Sequence, residues 1–195
     1  MDAFSEAEEA VLLRMIGVNL LAVWRINKTF LHLLNSGGRI IITTSELDGQ
    51  KALPFNGLYA LTKTALGSYT DSLRTELALL GIRVIKVRPG AFATDLVDSS
   101  FRSMEKMRGK TKLFTRFVPR FEGLMRRFGG KANHPAVLTK KLFKIAEKKH
   151  PRSCYTVRPG FLLGLYNAVP YSLGTFAIKK LLNSRTAQDD FTQNA

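Results

Sequence analysis

Apolar residues run thickly through SEAEEAVLLRMIGVNLLAVWRINKTFLHLLNSGG, which reads as a long helix. Ser5 with Glu8 three places on is a capping-box pattern for its start, and Asn35-Ser36-Gly37-Gly38 supplies its stop. The pattern then changes. RIIITTS is a short β-branched run without alternation, as in a strand buried on both faces of a parallel sheet. A loop with Gly49, Pro54 and Gly57 leads into a second helix, where Leu66, Tyr69, Leu73, Leu77 and Leu80 keep an apolar stripe up to Gly81. IRVIKV predicts a second buried strand, closed by Arg88-Pro89-Gly90. PAVLTKKLFKIAEKKH predicts an amphipathic helix, and SCYTV a third strand closed by Arg158-Pro159-Gly160. The recurrence of VRPG at 87–90 and 157–160 marks two strand ends and not a repeat.

Alternating helices and strands predict an α/β fold with parallel strands. Ligands of such sheets sit at the carboxyl ends of the strands. Ser45, the start of the helix that contains Tyr59, and the Pro89-Gly90 turn all fall at that edge.

The chain of 195 residues is 45% hydrophobic and 23% charged, values of a globular domain and not of a disordered chain. Thirty Lys and Arg against fifteen Asp and Glu leave a net charge of +15, which invites a polyanion. Sixteen of the thirty basic residues lie in 101–152, beside only Glu105, Glu122 and Glu147. Cys154 is alone, which excludes a disulfide framework and a thiolate metal cluster and suits a cytoplasmic setting. His32, His134 and His150 are scattered without metal-ligand spacing, so no metal is expected. MDAFSEAEEA has no basic or apolar leader region, and GFLLGLYNAVPYSLGTF is interrupted by Pro170 and two glycines, so docking on a membrane fits it better than crossing.

Tyr59 and Lys63 stand one helical turn apart on the same face. A phenol is a poor proton donor or acceptor near neutrality, and a neighbouring ammonium favours the phenolate. A serine hydroxyl aimed at the same point can hold a carbonyl or alcohol oxygen. Together they point to carbonyl/alcohol interconversion, although a Tyr-x-x-x-Lys pair alone is as readily two helix-surface residues.

The combination is more specific. GRIIITTS, then LPFNGLYALTKTAL, then DSLRTELALLGIRVIKVRPGAFATDL closely resembles the short-chain dehydrogenase/reductase family, most densely over residues 38–96. The resemblance implies a Rossmann-type, doubly wound parallel sheet and reversible hydride transfer between NAD or NADP and a carbonyl/alcohol substrate. It implies Ser45 as the residue positioning the substrate oxygen and Tyr59 as the general acid/base. Lys63 would lower the tyrosine pKa and bind the nicotinamide ribose. Asn19, in GVNLLA, would hold a water that links Lys63 to solvent; the other reading is a plain polar helix residue. Pro89-Gly90-Ala91-Phe92-Ala93-Thr94 matches the turn that holds the nicotinamide carboxamide, with Pro89, Gly90, Phe92 and Thr94 as cofactor contacts beside Tyr59 and Lys63. Thr94 also reads as a helix N-cap ahead of Asp95. The long helices with Asn19 and Tyr59 are the family's usual dimer surfaces, so a homo-oligomer is expected.

Two departures stand out. ELDGQK follows Ser45 where the family often has small or apolar residues, and the Ser45–Tyr59 interval is one residue longer than the common form, although LPFN resembles hydroxysteroid- and retinol-type members. The glycine-rich Thr-Gly-x-x-x-Gly-x-Gly turn of the family is not found; Gly37-Gly38 and Gly129-Gly130 sit in the wrong order or place. The chain therefore reads as the C-terminal portion of a Rossmann-type domain, with the N-terminal βα units missing and RIIITTS at a sheet edge. Its expected layout is a catalytic core over 1–98, a basic substrate lid over 99–152, and a last strand and tail over 153–195. In the lid, Phe101, Met104, Met107, Leu113, Phe114, Phe117, Phe121, Leu124, Met125 and Phe128 suggest amphipathic helices covering an apolar substrate. Basic residues among aromatics also suit peripheral membrane contact. Their helical spacing argues against nucleic acid. The competing reading is a truncated, non-catalytic remnant acting as a partner-binding or membrane-surface module.

Overall fold

The computed structural model describes residues 1–128 and 132–184. Its elements run α1 (Glu9–Ile16), a π turn (Gly17–Leu21), α2 (Ala22–Phe30), a 3₁₀ turn (Leu31–Leu33), β1 (Arg39–Thr43), α3 (Gly57–Ala78), β2 (Arg83–Pro89), α4 (Asp95–Lys110), α5 (Phe117–Phe128), α6 (Pro135–Glu147), β3 (Cys154–Val157), α7 (Phe161–Ala168) and α8 (Tyr171–Asn183). The three strands are parallel in the order β1-β2-β3, with Arg39 opposite Arg83 and Lys86 opposite Cys154. Among the described residues β1 pairs with β2 alone, at one edge of the sheet.

Period-two alternation assigns the strand side chains to two layers. Ile42 and Val84 face Leu66 and Leu77 of α3, with Leu20 and Val23 packed alongside. Ile85, Val87 and Val157 face the other way, onto Ile145, Leu138 and Leu142 of α6. Lys86 lies between Val84 and Arg88 on the α3 side and is only 3% exposed. It is accommodated by Asp71 at 2.6 Å and Asp48 at 3.3 Å, the pairing that a buried ammonium requires.

A third core lies at the carboxyl edge. Met104 and Met107 of α4, Val118 and Phe121 of α5, Leu182 of α8 and Phe55 pack together. Of the apolar stripe expected for a lid, Phe101, Phe114, Phe117 and Met125 pack against this core; Leu113 instead faces solvent, and the side chain of Phe128 and Gly129-Gly130 lie outside the described residues. The tail that sequence left without elements forms α7 and α8, separated at Pro170. No helix among the described residues is long and apolar enough to cross a membrane.

Three local expectations are corrected. The Ser5/Glu8 capping box does not form: the helix starts at Glu9 with Glu8 at the N-cap and no side-chain cap. The neighbouring carboxylate has a long-range task, because Glu6 accepts from Thr111 Oγ1 (2.6 Å) and the amides of Lys112 (2.8 Å) and Leu113 (2.9 Å). Those donors hold its pKa below the usual carboxylate range. The first helix is also not regular, since five residues including Asn19 form a π turn. Leu80 is exposed, because α3 ends at Ala78 and the chain turns at Gly81, whose φ is +72°.

Candidate active site

Ser45 follows the end of β1 by two residues, and its position is fixed from β2. The Thr44 amide donates to the Val87 carbonyl at 2.8 Å and the Glu46 amide to the Pro89 carbonyl at 2.9 Å. The serine is buried, with its Oγ accepting the Leu47 amide at 3.2 Å. Tyr59 is in the first turn of α3, and its phenol faces the Ser45 hydroxyl, which favours the phenolate. One turn on, the Lys63 ammonium sits 5.7 Å from the centroid of the Tyr59 ring. The three side chains therefore share one location.

The protonation state differs from the sequence expectation. Burial pushes the Tyr59 phenol above its ordinary value; the Ser45 hydroxyl opposes this and the Glu46 carboxylate adds to it. Lys63 does not reverse the effect, because burial lowers its own pKa. Desolvation of the phenolate therefore remains the dominant influence on Tyr59. At neutral pH the site thus holds a neutral phenol.

Asn19 reaches the same helix indirectly. Its Nδ2 donates to Thr62 Oγ1 at 3.0 Å, and Thr62 Oγ1 donates to the Tyr59 carbonyl at 2.9 Å. The π turn places Asn19 there; such bulges frequently occur at functional positions. Sequence reasoning passed over Thr62, although it adjoins Lys63 and is fully buried.

The Pro89–Thr94 turn lies beside these groups. Gly90 is essential to it, since a Cβ there would meet the Arg158 carbonyl oxygen at 2.0 Å. Phe92 is buried and bridges to Asn133. Thr94 is the N-cap of α4, but its hydroxyl donates to the Phe92 carbonyl at 3.4 Å and caps nothing. Both readings of Thr94 therefore place it at the open end of a helix.

The ELDGQK departure supplies further polar groups. Asp48, buried, accepts from Arg88 Nε at 3.1 Å and Thr44 Oγ1 at 3.3 Å besides pairing with Lys86. Glu46 is held above the usual carboxylate range by burial, against the opposing hydrogen bond from the Gly160 amide. An apolar cavity of about 470 Å³ opens next to this loop, lined by Phe4, Pro54, Phe55, Phe114, Phe117 and Leu182 among others. Phe55 has a φ of +61° and stacks edge-on against Phe114 and Phe121. Among the described residues no cluster of His, Cys, Asp or Glu could hold a metal ion.

The chain resembles known proteins. The family model described as short chain dehydrogenase matches residues 1–105. The uncharacterised oxidoreductase YusZ of Bacillus subtilis is 25% identical over 170 residues, 85% of this chain and 61% of that protein. An uncharacterised NAD-dependent oxidoreductase of Mycobacterium tuberculosis is 38% identical over 86 residues, 43% of this chain and 31% of its own length. A short-chain dehydrogenase/reductase of unknown function from Caenorhabditis elegans, solved with cofactor, superposes with a TM-score of 0.62 at 25% identity, covering 89% of this chain and 63% of that one. The chain spans less than two thirds of the length of these relatives. With a parallel sheet of this order and a family match over more than half its length, the chain belongs to the short-chain dehydrogenase family.

Proposed function

We propose that this chain carries the catalytic and substrate-facing portion of an NAD(P)-dependent dehydrogenase that interconverts an apolar carbonyl compound and its alcohol. The observation that carries the reading is the meeting of the Ser45 and Tyr59 side chains at the strand ends, with Lys63 5.7 Å from the centre of the tyrosine ring.

The residues fit a nicotinamide nucleotide. Lys63 makes no ion pair among the described residues, so its donors suit ribose hydroxyls. Thr94 leaves the N-terminus of α4 without a side-chain cap, open to the carboxamide or phosphate side of the ligand. Pro89, Gly90 and Phe92 shape the turn between them. The cofactor, when bound, supplies or accepts the hydride.

The protein handles the proton. Ser45 Oγ donates to the carbonyl oxygen and holds it beside Tyr59. As charge develops on that oxygen, the neutral Tyr59 hydroxyl transfers its proton and becomes a phenolate, which Lys63 and Ser45 stabilise. With its pKa held above the ordinary value, the Tyr59 phenol is protonated at neutral pH and starts carbonyl reduction with the proton in place. Asn19, through Thr62, fixes the first turn of α3 and the relay toward solvent. The apolar cavity beside Pro54 and Phe55 supports an apolar substrate.

The test measures NADH and NADPH binding and turnover of a panel of aldehydes and ketones by the full chain. Tyr59→Phe should retain cofactor binding and lose about a hundred- to ten-thousand-fold in turnover, the usual worth of a positioned acid. Equal turnover by wild type and Tyr59→Phe would refute the reading. Absence of cofactor binding by the whole protein would leave the partner-binding module as the better description.

A further inference from the structure

Two opposite charges on the Ser45–Tyr59 loop end on one helix. Glu46 Oε2 accepts the Gly160 amide at 2.6 Å, and Gly160 is the N-cap of α7. Five residues later the Lys51 ammonium donates to the carbonyls that close that helix, Tyr166 at 3.3 Å, Asn167 at 3.2 Å, and Val169. The Lys51 amide adds a bond to Asn167 Oδ1 at 2.7 Å. Eight helical residues are about 12 Å long, and five residues of chain reach at most ~17 Å. Residues 46–49 form a turn, so the two side chains, and not an extended backbone, carry the loop's reach to both ends of α7. Its signs oppose the helix dipole at both ends, a carboxylate at the amino end and an ammonium at the carboxyl end. No cap comes from the α7 N-cap's own side chain, and a helix this short is marginal in water without outside support.

The contacts then close a ring. Beyond Pro170 the chain enters α8, whose Leu182 belongs to the lid core with Met104 and Phe121. Arg120 of α5 donates to the Leu182 carbonyl at 2.9 Å. That core includes Phe55, at the end of the same loop that began at Ser45. We infer that Glu46 and Lys51 are positioning residues, a charge-matched clamp on α7 through which the substrate lid and the catalytic loop hold one another in register. Loosening the clamp weakens the grip on an apolar substrate while Ser45 and Tyr59 stay side by side. The clamp stands on its contacts alone; its effect on substrate rests on the dehydrogenase reading above.

Hydrogen exchange on the full chain separates the two. In Lys51→Met the amides of α7 and the first turn of α8 should exchange at least about tenfold faster, the size of a lost charge-assisted bond. Those of β1 and β2 should not change, and Lys51→Arg should restore most of the protection. Glu46→Gln keeps an acceptor and loses the charge, so it should show a smaller loss confined to α7; it carries the comparison if Lys51→Met does not fold. With NADH or NADPH and decanal as the probe, Lys51→Met should raise KM about tenfold and leave kcat within about twofold. Unchanged α7 exchange in both variants, or a loss spread equally over β1 and β2, overturns the clamp. Faster α7 exchange with an unchanged KM overturns its positioning role. If wild type turns over nothing, the dehydrogenase reading falls and exchange still decides the clamp.

Discussion

Replacing Gly67 with alanine should destabilise this protein, although the same change inside most helices stabilises by about 1 kcal/mol. Gly67 is buried in α3, and a Cβ there would fall 1.8 Å from Asp48 Oδ1, 2.3 Å from its Cγ and 2.6 Å from Oδ2. The carboxylate cannot step aside freely. It is 5% exposed and held by Arg88, Lys86 and Thr44, and Lys86 is itself buried. Overpacking costs about 1–3 kcal/mol, and separating a buried ion pair about 3–5 kcal/mol. Lys86 keeps Asp71 at 2.6 Å, so the lower end of the second range applies and only in part. After the gain in helix propensity, a net loss of about 2 kcal/mol is expected, or roughly 4–8 °C in Tm for a chain of this size. Asp48→Ala removes all three nearest atoms. In that background Gly67→Ala should revert to its ordinary sign and stabilise by about 1 kcal/mol, a coupling of about 3 kcal/mol. Urea unfolding of wild type, both single variants and the double variant, followed by circular dichroism, completes the cycle. An equal loss from Gly67→Ala in both backgrounds would refute the close approach and the role of Asp48 in fixing the loop behind Ser45.

Three further outcomes follow from particular contacts. Gly90→Ala drives a Cβ into the Arg158 carbonyl and should cost about 3 kcal/mol or more, whereas Gly109→Ala meets nothing within 4 Å inside α4 and should stabilise by about 1 kcal/mol; thermal melts that rank them otherwise contradict the packing. Lys63→Met should abolish turnover yet raise stability at neutral pH, because burial disfavours the ammonium and no carboxylate pairs with it among the described residues. Its lowered folded pKa means the penalty is full below that value and vanishes above the ordinary lysine value, so the gain should shrink as pH rises; denaturation at neutral and alkaline pH checks the sign. Glu46→Gln removes a charge that raises the Tyr59 pKa, so the alkaline limb of carbonyl reduction and the acid limb of alcohol oxidation should both move to lower pH. Movement in the opposite direction excludes Glu46 as a neighbour of the acting phenol.

Much of this site was legible because its main parts are placed by backbone regularities. A strand ending at Thr43 and a helix beginning at Gly57 bring Ser45 and Tyr59 to one edge, and the helical period puts Lys63 on the face of Tyr59. What was hidden depends on partners remote in the chain. The Ser5/Glu8 pattern is locally sound, yet Glu6 goes to residues 111–113, over a hundred positions away, and the helix starts after it. The π turn at Asn19 falls within the apolar run and writes no signal in it. The phenol rises where spacing to Lys63 suggested a fall, because spacing carries no information on burial.

The segment that departs from its family's pattern illustrates the same physics. Glu46, Asp48 and Lys51 look like solvated loop charges, and no neighbour in sequence explains them. Their partners are the Gly160 amide, Arg88 with Lys86, and the carbonyl end of α7. A loop without a regular hydrogen-bond ladder must satisfy its backbone and fix its course by side-chain contacts. Here those contacts join the loop behind Ser45 to β2 on one side and to α7 on the other. Apolar residues in the same three positions would leave Lys86 with one partly exposed partner and α7 with bare ends, while the backbone bonds from Thr44 and Glu46 to β2 would still place Ser45. The charges that break the pattern therefore fix the course of the loop behind Ser45 and its hold on α7.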